Sequence, residues 1–313
     1  MADPRRPPLA IIGATASGKS SLAIALAERA GAVELISGDA MAVYRGMDVG
    51  TATPPAADLA RVRHHLIDVV GVDEPFTLVD FTTRSRAAFA EIEARGATPV
   101  LVGGTGLYVR SLVDAFDPPP QYPDVLAELE TDPDTPALWR RLAELDPDGA
   151  TKMEPTNRRR VLRALEVTVG SGRPFSSYGA GVDQYPPTDW VQLGLRWDRV
   201  ELDERIDRRI DAQLAAGWVE EVVGLLDGPT WSHTAAQALG YEPLAAVIRG
   251  ERTLDDAVGE IRSRTKKFAR RQERWFRRDP RIHWLDADRP DLIDAAAEVW
   301  RNAIAESDGR LRD

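Results

Sequence analysis

Eight residues near the start of the chain, Gly13-Ala14-Thr15-Ala16-Ser17-Gly18-Lys19-Ser20, restrict the fold more than any other stretch. The apolar run Leu9-Ala10-Ile11-Ile12 precedes them, and the helix-like Ser21-Leu22-Ala23-Ile24-Ala25-Leu26-Ala27 follows. This is G-x-x-x-x-G-K-S between a strand and a helix, the context in which the motif cradles phosphates. Glycines let the backbone curl until successive N–H groups point inward, and the helix start adds partial positive charge. Lys19 brings a full charge for the outer phosphates, and the Ser20 hydroxyl is a ligand for Mg²⁺. Such a unit predicts an α/β domain built on a parallel sheet, with a loop that takes a di- or triphosphate.

At 313 residues the chain exceeds one usual domain, which predicts a main domain with a smaller partner. There are no cysteines, which excludes disulfides, thiolate metal sites and cysteine nucleophiles. The N-terminal stretch lacks the apolar core of a secretory signal, and no apolar run reaches the ~20 residues of a membrane span. A soluble, cytoplasmic, monomeric protein is expected. The formal net charge of −10 argues against a nucleic-acid partner, but local charge decides that matter. From Arg262 to Arg281 ten Lys/Arg residues face two acids, and Arg158-Arg159-Arg160 with Arg163, Lys152 and Arg173 form a second island. Charge alone leaves a solvated face and an RNA-binding face equally open.

Ala32-Val33-Glu34-Leu35-Ile36-Ser37 reads as a second strand ending at Gly38-Asp39. Open α/β sheets bind ligands off the carboxyl ends of their strands, which brings Asp39 to the phosphate loop. It serves there as a turn aspartate, as an outer partner of a bound Mg²⁺, or as a general base. The run Thr98-Pro99-Val100-Leu101-Val102 leads through Gly103-Gly104 to Thr105, which reads as a helix cap and, compatibly, as a hydroxyl at the same site. His64 and His65, being adjacent, point in different directions and suit separate hydrogen bonds better than one metal. Proline-rich breaks after Asp117 divide the chain into a core part at 1–117, a helical insertion at 118–195, and core completion at 196–313 with basic C-terminal helices. Within the insertion Thr156 is positioned to cap a helix closed by Gly170, and 171–187 reads as loop. Asp203 opens a helix carrying Arg205, Arg208 and Arg209, and a diphosphate site wants a second cation beside Lys19. Thr253 caps a long helix to about Arg278, and residues after 288 read as a peripheral helix.

Taken in order, several motifs together resemble the tRNA dimethylallyltransferase (IPP transferase) family. They are Gly13 to Ser20, Glu34 to Asp39, Tyr44-Arg45-Gly46-Met47-Asp48-Val49-Gly50-Thr51-Ala52, Leu101 to Tyr108, Arg163-Ala164-Leu165-Glu166, Ala238-Leu239-Gly240-Tyr241-Glu242, and Thr265 to Gln272 with Trp275-Phe276. The resemblance implies a P-loop NTPase-like core whose loop holds dimethylallyl diphosphate, with Mg²⁺ as cofactor on Ser20, and transfer of the prenyl group to the N6 amine of the adenosine 3′ of the tRNA anticodon. It implies Asp39 as the base, Thr105 at the reacting centre, and Lys19 and Arg209 on the diphosphate. The anticodon stem-loop would be gripped by the insertion through Arg160 and Arg163, by residues 39–42 and Thr105, and by Arg270, Arg271 and Gln272. Where the family often has Ser and Gln after the aspartate, this chain has Ala40 and Ala42 flanking Met41, which changes how the base is read.

Three other readings compete. A P-loop kinase or NTPase for a small metabolite leaves the insertion and the basic helix without a task. Prenyl transfer to a free adenine nucleotide leaves both basic islands unexplained. A non-catalytic RNA-binding module needs neither Lys19 nor Asp39.

Overall fold

The computed structural model describes residues 6–179 and 184–310. Its centre is a six-stranded, all-parallel sheet of the P-loop type with strand order β3-β2-β4-β1-β5-β6. In chain order the first part runs β1 (Leu9–Gly13), α1 (Lys19–Ala30), β2 (Val33–Ser37), α2 (Ala56–Arg61), β3 (His64–His65), α3 (Leu78–Ala94), β4 (Thr98–Gly103) and α4 (Gly106–Val113). Four helices follow: α5 (Pro123–Glu130), α6 (Thr135–Leu145), α7 (Pro147–Thr151) and α8 (Arg158–Ser171). The sheet resumes with β5 (Val191–Arg196), then α9 (Arg199–Ala215), α10 (Trp218–Leu226), α11 (Tyr241–Ile248), α12 (Leu254–Phe276), β6 (His283–Asp286) and α13 (Leu292–Arg310).

The alternation of side chains along a strand builds two cores from one sheet. Ala10, Ile12, Ile36 and Leu101 enter the cluster that includes Phe81, Tyr108, Ile206 and Tyr241. Leu9, Ile11, Leu35 and Val100 enter the opposite cluster with Leu22, Leu26 and Trp300. β1 is buried along its whole length because both faces are covered, which is why it reads as a continuous apolar run. Each fully buried Leu or Ile there contributes about 1.5–3 kcal/mol. Central strands carry this load, and β1 is thereby a rigid base for the loop that follows it.

The chain divides into two compact units, residues 1–114 with 187–313, and residues 115–186. The expected insertion boundary at 195 therefore moves back, because Val191–Arg196 pairs in register with β1 and belongs to the sheet. The second unit has its own small core of Leu129, Leu138, Leu142, Val161 and Leu165. Its helix α8 is capped by Asn157, whose side chain accepts the Arg160 N–H at 3.3 Å, and not by Thr156. Gly172, left-handed at φ 69°, closes it in place of Gly170, which lies inside the helix against the Tyr122 ring. The loop expected at 171–187 includes residues 180–183, which lie outside the described residues. In the first unit Asp198, not Asp203, caps α9, accepting the Val200 N–H at 2.8 Å. The C-terminal α13 is no peripheral helix. Ala296, Ala297 and Trp300 are buried in the second core, and the Trp300 indole donates to the Pro7 carbonyl at 2.9 Å. Among the described residues no helix is long and apolar enough to cross a membrane.

Candidate active site

The carboxyl ends of β1, β2 and β4 meet at one place. Gly38 donates its N–H to the Val102 carbonyl at 2.8 Å, and a Cβ on Gly103 would run into the Gly38 backbone. Glycine at 103 is thus what lets the loops after β2 and β4 touch, and with them Asp39 and Thr105 come alongside the phosphate loop.

That loop leaves β1 at Gly13 and re-enters helix at Lys19. Gly18, at φ 92°, takes the N-cap position with no side-chain cap, so the first-turn N–H groups of α1 keep no internal partner. Lys19 Nζ folds back to the Ala14 carbonyl at 2.6 Å. Burial, with Arg209 nearby, pushes the Lys19 ammonium down to about 8, and Asp39 partly offsets this. Arg209 is likewise lowered by burial and supported by Asp39, while its guanidinium donates to the Thr51 carbonyl at 3.1 Å. Two cations with carbonyl hydrogen-bond partners sit close enough that Arg209 lowers Lys19. An anion bound between them relieves that repulsion and the desolvation together.

Asp39 is exposed. Its Oδ1 accepts the Met41 N–H at 2.8 Å and the Ala42 N–H at 3.4 Å, closing an Asx-type turn, while Oδ2 has no protein partner among the described residues. The turn and base readings of this residue are therefore compatible, one oxygen for each. Thr105 occupies the N-cap position of α4, yet its hydroxyl makes no capping bond. The cap reading fails at the side chain, which leaves that hydroxyl available. Ala42 is buried, its N–H on Asp39 and its carbonyl accepting the Asp68 N–H at 3.1 Å. It is core, and a base contact from its side chain is excluded. Ala40 and Met41 stay partly exposed at the edge of the same core.

Ser20 stands exposed in the first turn of α1, with no hydrogen-bond partner among the described residues. No cluster of three or more His, Cys, Asp or Glu side chains able to hold a metal occurs among the described residues. A single hydroxyl at the helix start of a P-loop suits Mg²⁺, which retains waters and takes the rest of its oxygens from phosphate. The two histidines each have a separate partner: His64 Nδ1 lies 2.7 Å from the Val62 carbonyl, and His65 Nε2 lies 2.6 Å from Glu34 Oε2.

Helix α9 organises the surroundings through three stripes, each repeating every four residues and so lying along one side of the helix. Leu202, Ile206 and Ile210 are buried. Arg205, Arg209 and Gln213 all donate to backbone carbonyls of the site loops: Arg205 Nε to Ala16 at 3.0 Å, Arg209 to Thr51, and Gln213 Nε2 to Val49 and Gly50 at 2.7 and 2.8 Å. Asp203, Asp207 and Asp211 form the third stripe and pair in antiparallel order with Arg270, Lys266 and Arg262 of α12. Sequence reasoning placed Arg205 and Arg209 on this helix and chose Arg209 for the diphosphate, but missed Gln213, Trp197 and Glu221. The Arg205 guanidinium stacks 4.2 Å from the Trp197 ring centroid, and that indole donates to the Ser17 carbonyl at 3.0 Å, so both brace the phosphate loop from behind. Glu221 accepts the N–H groups of Asp48, Val49 and Gly50 at 2.8, 2.6 and 3.1 Å and the Tyr241 hydroxyl at 2.7 Å. The four-residue spacings were a visible signal for the α9 stripes. Nothing local marked Trp197 or Glu221.

The residues expected on RNA separate into two groups. Arg160 is exposed on α8, beside exposed Arg159. Arg163, in contrast, is spent on structure: it pairs with Glu166 at 2.8 Å and donates to the Pro119 carbonyl at 2.7 Å. Arg271 is exposed and lies over the Phe268 ring, whereas Arg270 is a rung of the acidic ladder. Gln272 is buried, with both ends of its amide on backbone groups of the site loops, so it is no surface contact.

The sequence matches the family profile described as IPP transferase over residues 42–279. A tRNA dimethylallyltransferase of Nocardioides sp. is 45% identical over 299 residues, spanning 94% of this chain and 96% of that relative. One from Thermobifida fusca is 45% identical over 301 residues, with 92% of each chain covered. Among solved structures, the tRNA isopentenylpyrophosphate transferase of Bacillus halodurans superposes with a TM-score of 0.73 at 33% identity, over 98% of this chain and all of that one (100%). A eukaryotic dimethylallyltransferase described as acting on tRNA gives a TM-score of 0.77 at 27% identity, over 98% of this chain and 80% of its own. The profile spans more than half of the chain and the similarity to these relatives covers more than nine-tenths of it, so this chain belongs to the IPP transferase family of tRNA dimethylallyltransferases.

Proposed function

We propose that the protein transfers a dimethylallyl group from dimethylallyl diphosphate to the N6 amine of the adenosine 3′ of the anticodon in tRNA. The observation that carries this reading is the placing of a carboxylate, Asp39, within electrostatic reach of Lys19 and Arg209 at an uncapped phosphate loop. N-prenylation needs such a carboxylate beside the leaving group, to take the amine proton as the new bond forms.

The exocyclic amine is a weak nucleophile because its lone pair is delocalised into the purine. As N6 bonds to the allylic carbon, the C–O bond to diphosphate breaks with its electron pair on oxygen, and the amine proton passes to Asp39. The Thr105 hydroxyl, which caps nothing, hydrogen-bonds at the reacting centre. Lys19, Arg209 and the first N–H groups of α1 stabilise the charge that grows on the leaving diphosphate. Ser20 would hold a Mg²⁺, whose chemistry is to neutralise charge on the diphosphate oxygens. The adenosine must leave its stack to reach Asp39, at a cost of a few kcal/mol that is smallest in a single-stranded loop. The unit at residues 115–186, through Arg160, and Arg271 on α12 supply backbone contacts that offset this cost.

The test is mass spectrometry of unmodified tRNA incubated with the protein, Mg²⁺ and dimethylallyl diphosphate, without ATP, with parallel reactions using Asp39→Ala and using AMP as acceptor. One prenyl unit on the adenosine 3′ of the anticodon, nearly absent with Asp39→Ala, is expected. Transfer to AMP but not tRNA, or phosphate release from ATP in place of transfer, overturns the reading.

A further inference from the structure

Gln272 was expected on RNA, but the geometry assigns it elsewhere. We propose that its side chain is a positioning residue that sets the spacing between the diphosphate loop and the Thr105 loop; the proposal rests on the transferase reading above.

Gln272 lies on α12 and is 7% exposed. Its Oε1 accepts the Thr15 N–H at 2.8 Å, and its Nε2 donates to the Gly104 carbonyl at 2.9 Å. Thr15 belongs to the phosphate loop after β1, and Gly104 directly precedes Thr105 after β4. One amide therefore joins the two loops whose other residues hold the leaving group and the reacting centre. A primary amide is suited to this because it offers a donor and an acceptor a fixed distance apart. The space is made for it as well: a Cβ on Gly104 would overlap Gln272 Nε2, and Gly106 leaves room in the same way for the Trp275 indole of the same helix. The Gly104 bond is buried and the Thr15 bond part-buried, so water replaces the lost bonds poorly when the amide is removed, and the two loops are free to shift apart. A misplacement of about 1 Å between reacting groups lowers rate by about a hundredfold.

The experiment compares wild type with Gln272→Met, which keeps the length of the side chain, with Gly104→Ala, which displaces the amide from the opposite side, and with the double variant. For each, kcat and the KM for dimethylallyl diphosphate are measured on tRNA. Inorganic diphosphate affinity without RNA, tRNA affinity and melting temperature are measured beside them. Each single variant is expected to lose roughly tenfold to a hundredfold in kcat and to bind diphosphate several-fold more weakly, while tRNA affinity stays within about twofold. The double variant should be no worse than the poorer single one, since both break the same link. Unchanged kcat and diphosphate affinity, a loss confined to tRNA affinity, or multiplicative losses in the double variant would each overturn the proposal. If wild type transfers no prenyl group, the transferase reading fails by itself. Diphosphate affinity, which needs no RNA, still decides whether Gln272 shapes the loop, and Gly104→Ala serves if Gln272→Met does not fold.

Discussion

The two polar faces of α9 are built from the same four-residue repeat and do opposite work. On one, Arg205, Arg209 and Gln213 reach inward to carbonyls of the loops around the phosphate site. On the other, Asp203, Asp207 and Asp211 reach across to basic residues of α12 at partly solvated positions. On the first face burial lowers both Arg205 and Arg209, so their contacts weigh more. The second holds charge where water and salt compete, so each weighs little. Charge count alone does not separate the two; the partner does, a loop carbonyl on one face and an ionised side chain on the other. The acidic face also answers why a chain of net charge −10 carries ten basic residues between 262 and 281. Three of them are matched rung by rung, while Lys267, Arg271 and Arg274, spaced along another side of α12, have no acidic partner among the described residues.

The contrast is broken most severely at Arg209. Arg209→Leu, like Lys19→Met, should lower kcat/KM by about 10²–10³, the cost of losing one preorganised group on developing charge; steady-state kinetics with saturating tRNA checks this. Arg205→Ala removes a brace and not a direct contact, so a smaller loss of roughly tenfold, mainly in the KM for dimethylallyl diphosphate, is expected. An equal loss from Asp207→Asn would erase the distinction between the faces.

The pH response sharpens it further. With Lys19 down at about 8 in the ligand-free protein, the folded chain has released a proton between about pH 8 and the ordinary lysine value of 10.5 that the unfolded chain still holds. Stability therefore rises with pH across that window, and Lys19→Met should flatten the rise in denaturant titrations. Diphosphate affinity should run the other way, falling above about pH 8 as the ammonium is lost, and calorimetry at several pH values measures it. The smallest effects belong to the ladder and its neighbours. Asp207→Asn should cost less than about 1 kcal/mol, and less again at high salt. Arg274→Ala should reduce the salt dependence of tRNA binding by about one unit of slope, whereas Arg262→Ala, a rung of the ladder, should leave the slope unchanged.

Much of the site was legible because its signals are local. Eight consecutive residues with the right flanks mark the phosphate loop, and Asp39 and Thr105 each follow a buried apolar run that ends in glycine. Where expectation and structure diverged, the reason was which partner a side chain found or lacked. Thr105 reads as a cap, but its hydroxyl bonds nothing in α4. Arg163 reads as an RNA contact, but Glu166 and the Pro119 carbonyl take it. The helix after 288 reads as peripheral because half of its apolar residues are small alanines, and the burial of Ala296, Ala297 and Trp300, with the Trp300 indole on the Pro7 carbonyl, reveals the packing.

By itself, the sequence determined the α/β class, the phosphate loop, the carboxylate beside it and the presence of two basic islands, since all of these depend on residues close together in the chain. Only the tertiary structure decided which basic residues remain available and which side chain joins the two loops. The partners of Arg270 and Gln272 lie 67, 168 and 257 residues away. Whether a polar group is buried against such a partner or left to water is a property of packing, and no local pattern records it.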